Sequence, residues 1–428
     1  MSKYDNASLV QIPSGYKAGT LYSVLPANGD GDFDFTRASI ATRVNSQGLI
    51  ETVASGVPRL DYPLLNGVVQ SCPALLLEPA RTNLALYSED FSNAAWTSNL
   101  TVITNATTAP DGSINADKVY ATTGTGKRLY RTVGITSATA YTFSFFAKAG
   151  GKNFTFVPDI DNSVNNVWFD LSNGTFSSPV EGTAQMINYG NGWYRCICTT
   201  TSSTTSGYSY IGLSDASGSI NFTENGTDGV YIWGAMLEAG SYATSYIPTS
   251  GTTVARAAEV CNGAGTSAEF NDSEGVLFAE IAGLVDDASF RFITIVNGTQ
   301  ADNQVKIGYD TVASQLRIAC RGAVGGTYVK QIAVDDVLLN NKVALKYKAN
   351  DFATWINGFE YGVQLSGTDM PSGMNNLRFE DGDGANDFYG KTKQLIAFDA
   401  ALTDEQLEDL TSWDSFAEMA TEQLYTIE

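Results

Sequence analysis

The chain has 428 residues, of which 17% are charged, and it carries a formal net charge of -21 with no histidine. So acidic a surface repels nucleic-acid phosphates and anionic membranes, whose protein partners need clustered Lys and Arg. Without histidine there is no Ser-His-Asp or Cys-His catalysis and no His-ligated zinc.

A hydrophobic content of 43% excludes wholesale disorder, and the length predicts two or three domains. The 41 Gly, 21 Tyr and 21 Phe, with abundant Thr and Ser, favour pleated surfaces joined by turns, an all-β composition. Of the cysteines, Cys72, Cys196, Cys198, Cys261 and Cys320, the second and third sit two apart on a predicted strand, a poor disulfide geometry. Free, mostly buried thiols are expected. The N-terminal stretch MSKYDNASLVQIPSGYK holds no apolar run of signal-peptide length, so synthesis in the cytoplasm without a leader is expected. No stretch approaches the roughly 20 apolar residues of a membrane span.

Residues 1–83 carry Pro26, Pro58, Pro63, Pro73 and Pro79, which interrupt helix and central strand alike, and predict an extended arm lying along something else. Within it Asp30, Asp32 and Asp34 alternate with Phe33 and Phe35, as on a half-exposed edge strand or, alternatively, a cation site. Arg37, Arg43, Arg59 and Arg81 are candidate assembly residues. Pairing with a neighbouring subunit and pairing within the chain both stay open.

Over residues 84–250 strand signals repeat between Gly-containing turns, which predicts a sandwich or jelly roll. Val167, Phe169 and Leu171 point to the core, leaving Trp168 and Asp170 on the other face; Tyr208 and Tyr210 alternate in SGYSYIGLSD. Rings flanked by acids and amides suit sugars, because pyranose C–H faces stack on them while hydroxyls take hydrogen bonds. These four residues are candidate glycan ligands, with plain core packing as the alternative for the rings. Trp193 and Tyr194 look like core. Residues 251–267, rich in small side chains, predict a linker or a crossing strand.

From 268 to 402 strand-length segments such as VLFAEI, FRFITIV and VALKYK resume, and Asn357-Gly358 predicts a type I′ hairpin. A second antiparallel sandwich follows. Glycosidases need paired carboxylates across a cleft. Glu269, Asp272 and Glu274 have the wrong spacing for one strand face, and Glu280 stands alone. The acidic loop offers Asp381, Asp383, Asn386 and Asp387 as candidate calcium ligands, or a solvated turn. Residues 403–428 begin with a Thr403/Gln406 capping box and place Leu407 and Leu410 on one helical face. Without heptads, any oligomer must form through the β modules or the arm.

The segment FATWINGFEYG with NNLRFEDGDGANDFYGKTKQLIAFDAALTDEQLEDL resembles the laminin-G-like branch of the concanavalin A-like lectin/glucanase superfamily. NLALYSEDFSNAAWTSNLTV and GAMLEAGSYATSYIPTSGTTVARAAE resemble the carbohydrate-binding-module-like jelly rolls of bacteriophage appendage proteins. The stretch DFTRASIATRVNSQGLIETVASGVPRLDY is similar to the leader that precedes such modules in phage head-fibre and tail-fibre proteins.

The expected fold is therefore all-β: an extended N-terminal arm, two antiparallel β-sandwich (jelly-roll) domains and a short C-terminal helix. The resemblance implies a non-enzymatic virion structural protein, a head or tail fibre or capsid decoration, that attaches to host-surface polysaccharide. Its partners would be other virion proteins, and a homotrimer is expected from fibre analogy. A polysaccharide depolymerase and a purely architectural virion protein remain alternatives.

Overall fold

The structure is a computed structural model that describes residues 4–122, 127–220, 222–298, 302–323, 326–364, 366–415, 418–419 and 422–423. It is nearly all β, with one α-helix, Asp404–Thr411, among the described elements. No helix among the described residues is long and apolar enough to cross a membrane.

Two sandwiches account for most strands. In the first, two six-stranded antiparallel sheets enclose a core that includes Phe143, Phe145, Val167, Phe169, Ile211, Ile232 and Leu237. Its longest strands, Ala140–Gly150 and Gly229–Ala239, pair side by side. Tyr141, Phe143 and Phe145 turn to the core and Phe146 to the outer face, the register slipping at a bulge between Ser144 and Phe146.

The second sandwich stacks an eight-stranded sheet on a nine-stranded one. Strand Glu274–Gly283 shows why VLFAEI lacks alternation: both its faces are covered. Leu277, Ala279 and Ile281 enter the inter-sheet core, while Val276 and Phe278 meet Leu407 and Leu410 of the helix. The helix is fixed by its capping box, with Thr403 accepting from the Gln406 amide at 3.3 Å and Gln406 accepting from the Thr403 amide at 2.9 Å. Asn357 and Gly358 both take positive φ (51° and 86°), the backbone that the predicted type I′ turn requires.

The N-terminal segment corrects the expected architecture. Residues 1–83 do lie along something else, the second sandwich, but as strands built into its sheets rather than as an arm laid over it. Leu9–Gln11 and Ala74–Leu77 hydrogen-bond to opposite ends of strand Gly390–Phe398, and Phe33–Thr36 pairs with Val260–Ala264 in the nine-stranded sheet. Phe33 and Phe35 are buried, as their alternation with aspartates predicts, but their strand has a neighbour on each side and is not an edge. Leu9, Leu21, Leu60, Leu75 and Leu77 join the core of the second sandwich. Of the two readings for 251–267, a linker or a crossing strand, the structure gives the second, with strands Val254–Arg256 and Val260–Ala264. The first pairs antiparallel with Arg81–Asn83, so the chain enters and leaves the jelly roll through a two-stranded ribbon. The jelly roll is thus inserted into a second sandwich built from both ends of the chain.

Candidate functional site

Leu129, Val157, Val167, Phe169, Ile211 and Leu213 fill the jelly-roll core, and the period-two rule then turns their neighbours to the outer face of the sheet. Tyr130 pairs with Tyr210, Gly212 with Phe156, and Phe156 with Trp168, which sets four rings on four adjacent strands. Strand spacing gives the row a length of about 14 Å. Tyr130 stacks with Tyr210 at 6.0 Å and meets Tyr208 edge-on at 6.0 Å; Phe156 lies 5.4 Å from Tyr210. The Arg128 guanidinium sits 5.2 Å from the Tyr130 ring centre, a cation–π contact at the end of the row.

Gly212 makes room for this arrangement, since a Cβ there would fall 1.8 Å from the Phe156 ring. Tyr130, Tyr208 and Trp168 are half-buried, whereas Tyr210 (4% exposed) and Phe156 (3%) form the floor between them. Burial pushes the Tyr210 phenol up in pKa against the opposing pull of Arg128. Of the expected glycan ligands, Tyr208 and Trp168 present ring surface on this face, and the Gly218 turn packs against part of Trp168. Tyr210 is buried beneath its neighbours. Asp170 is engaged locally, accepting from the Ser172 amide at 2.9 Å and from Asn173 Nδ2 at 2.7 Å. Its partial burial is outweighed by these bonds, and its pKa lies below the usual carboxylate range. Sequence reasoning missed Arg128, Tyr130 and Phe156, although the alternation in RLYRTV carried the signal for the first two. Trp193 is core, as expected, at 3% exposed.

All four candidate assembly arginines pair within the chain, one of the two readings left open. Arg43 pairs with Glu51 at 2.6 Å, and Arg81 faces Glu238 at 3.5 Å. Arg37 and Arg59 join a buried network at the root of the ribbon. Arg37 meets Glu259 at 2.7 Å, Arg59 bridges Glu259 and Glu78, and Arg256 closes the set on Glu78 at 2.9 Å. Ser245, from the jelly roll, donates its amide and its hydroxyl to Glu78 at 2.8 and 2.6 Å. Arg37 donates further to the carbonyls of Ser39, Val57 and Ala54. Buried charges persist only when paired and hydrogen-bonded, and here each is. Burial opposes the Glu78 charge, but Arg256, Arg59 and the Ser245 bonds outweigh it and drive its pKa far below the carboxylate range. The network ties N-terminal segment, jelly roll and second sandwich together.

The candidate calcium ligands of the acidic loop each have partners nearby. Asp381 pairs with Lys306 at 2.5 Å and accepts from Asn386 at 3.2 Å; Asp387 accepts from the Tyr389 hydroxyl at 2.9 Å; Asp383 accepts from the Ala385 amide at 3.1 Å. Glu380, immediately before them in sequence, pairs with Arg378. Among the described residues no three acidic or thiol side chains come together as a metal cluster. Glu280 is buried, 4.0 Å from Lys393. The cysteines are free thiols, with Cys72 exposed and the others buried.

Fold and site define an all-β, two-sandwich protein with a row of rings on an outer sheet face. No protein-family model matches the chain, and no curated protein matches it. Among solved structures, the Ruminococcus gnavus IT-sialidase CBM40 bound to alpha2,3-sialyllactose is similar over 33% of this chain and 84% of that one, at 17% identity and a TM-score of 0.29. The leech intramolecular trans-sialidase matches over 34% of this chain and 24% of its own, at 18% identity and a TM-score of 0.28. The binding domain of botulinum neurotoxin serotype G matches over 33% and 36%, at 10% identity and a TM-score of 0.27.

Proposed function

We propose that this protein is a non-enzymatic bacteriophage virion protein, a head or tail fibre or capsid decoration, that attaches to host-surface glycans through the outer aromatic face of its jelly roll. The observation that carries the glycan part is the row Tyr130, Tyr208 and Trp168 above the floor of Tyr210 and Phe156, with Arg128 at its end. Half-exposed rings offer stacking area to pyranose faces at low entropic cost, and the tyrosine hydroxyls and guanidinium supply hydrogen bonds. The virion part rests on the resemblance of the N-terminal and middle segments to phage appendage proteins, beside a C-terminal segment that resembles the laminin-G-like branch of the concanavalin A-like superfamily. Each single site of this kind binds weakly, so a homotrimer displaying three copies would bind through avidity.

The test is saturable binding of fluorescently labelled protein to candidate host cells and to a bacterial glycan array. We expect Tyr208→Ala and Trp168→Ala each to weaken binding by ~2 kcal/mol, roughly thirtyfold, in folded protein. Undiminished binding by both variants would rule this face out. Release of reducing ends from the bound polymer would support a depolymerase instead, and binding to assembled capsids or tails alone would support a purely architectural protein. In EDTA we expect binding to be unchanged, because Asp381 already has Lys306 as its cation.

A further inference from the structure

A cavity lies away from the aromatic face, between the two sandwiches. It encloses about 330 Å³ and is bounded by the jelly-roll strands Thr183–Asn188 and Trp193–Thr201, by residues 42–64 of the N-terminal segment, and by Leu284, Leu338 and Lys391 of the second sandwich. That volume is in the range of small-molecule sites, which favour the junctions of domains.

The charged residues around it are accounted for with one exception. Arg43 is paired with Glu51, Lys391 with Asp61 at 3.0 Å, and Glu78 with Arg59 and Arg256. Arg195, only 4% exposed, has no carboxylate within ion-pair distance among the described residues. It donates to Ser144 Oγ at 2.9 Å and lies 5.6 Å from the Phe146 ring centre, while its Nε–H has no hydrogen-bond partner. Glu238, buried on the same sheet, lies within electrostatic reach of Arg195 but forms no direct ion pair with it, its carboxylate being engaged by the Thr244 amide and hydroxyl at 2.9 and 2.7 Å and by Arg81 at 3.5 Å. A buried guanidinium without a direct ion-pair partner is costly, and a carboxylate matches its planar fork. Lys391 uses one of its three protons on Asp61 and keeps further donor capacity at the cleft wall. Ile187, Leu64 and Leu338 and the ring of Tyr189, whose hydroxyl meets Arg195, line the remainder with apolar surface.

We propose that this cleft binds a small carboxylate-bearing molecule whose ring lies between the apolar walls and whose carboxylate faces Arg195. No bond is made or broken, and the site is separate from the glycan face.

Calorimetric titration of the full chain with D-glucuronate and with benzoate tests it, with D-glucose as the uncharged counterpart. We expect either carboxylate to bind at least tenfold more tightly than glucose, Arg195→Gln to abolish that preference, and Tyr208→Ala to leave it intact. Leu338 is 41% exposed at the rim, so Leu338→Trp obstructs the cleft without touching buried polar groups, and it should block binding even where Arg195→Gln fails to fold. No carboxylate binding to the unmodified protein, equal binding of glucose, or full binding by the Leu338→Trp protein would overturn the proposal. Since Tyr208→Ala affects only the aromatic face, failure there and failure in the cleft are separately visible.

Discussion

Gly212 holds the aromatic row by what it lacks. A methyl group at that position collides with Phe156, so Gly212→Ala must tilt the ring out of the floor between Tyr210 and Trp168. Overpacking of this kind costs ~1–3 kcal/mol. We expect a lower melting temperature and lost glycan binding, read by differential scanning calorimetry and by the array, while the Arg195 cleft keeps its ligand. Trp168 and Tyr208 were legible as ring positions because strand alternation sets facing unambiguously. The depth of Tyr210 was not, since it depends on Tyr130 and Phe156, which arrive from strands remote in sequence. Asp170 likewise carries a sugar-like signature beside Trp168, yet Ser172 and Asn173, two and three residues on, claim it for a turn.

The C-terminal helix is the element that local sequence specifies most completely. Thr403, Gln406, Leu407 and Leu410 fix its start and its buried face, and all four behave as their spacing predicts. Thr403→Ala should cost about 1 kcal/mol, measured by urea denaturation, because it removes the acceptor for the Gln406 amide. The strands Leu9–Gln11 and Ala74–Leu77 show the opposite case. Prolines around them read as an arm, because a short strand next to Pro has no local preference for one partner over another. Both find their partner in Gly390–Phe398, more than 300 residues later in the chain. Removing residues 1–12 should therefore destabilise the second sandwich by exposing one end of that strand and the outer-face cluster around Val10. Faster hydrogen exchange along Leu395–Ala397, with the jelly roll unaffected, is the expected signature.

Across the whole molecule, the charge network at the ribbon decides how stability depends on pH. Glu78 titrates far below the roughly 4.3 of an unfolded glutamate. A carboxylate depressed in the fold contributes stability above its unfolded pKa, and that contribution is lost as pH falls from there toward the folded value. The unmodified protein should lose melting temperature steadily below about pH 5. Glu78→Gln leaves Arg59 and Arg256 short of a counter-charge and should cost ~3–5 kcal/mol at pH 7. Its deficit relative to the unmodified protein should shrink as the pH is lowered, whereas a constant offset from pH 7 to pH 3 would contradict the assignment.

By itself the sequence determined that the protein is all-β, that its rings alternate with polar residues on strand faces, where its tight turns fall, and how its helix is capped. These depend on backbone sterics and on periods of two and 3.6 residues, which are properties of neighbours in the chain. Only the tertiary structure decided that Arg37 and Arg59 of the N-terminal segment face Glu78 and Glu259, that both chain ends build one sandwich around an inserted jelly roll, and that Arg195 borders a cleft between the two. Pairing over such distances in sequence is selected by the burial of complementary surfaces and by the cost of leaving a charge alone inside, and neither is written in any short stretch of residues.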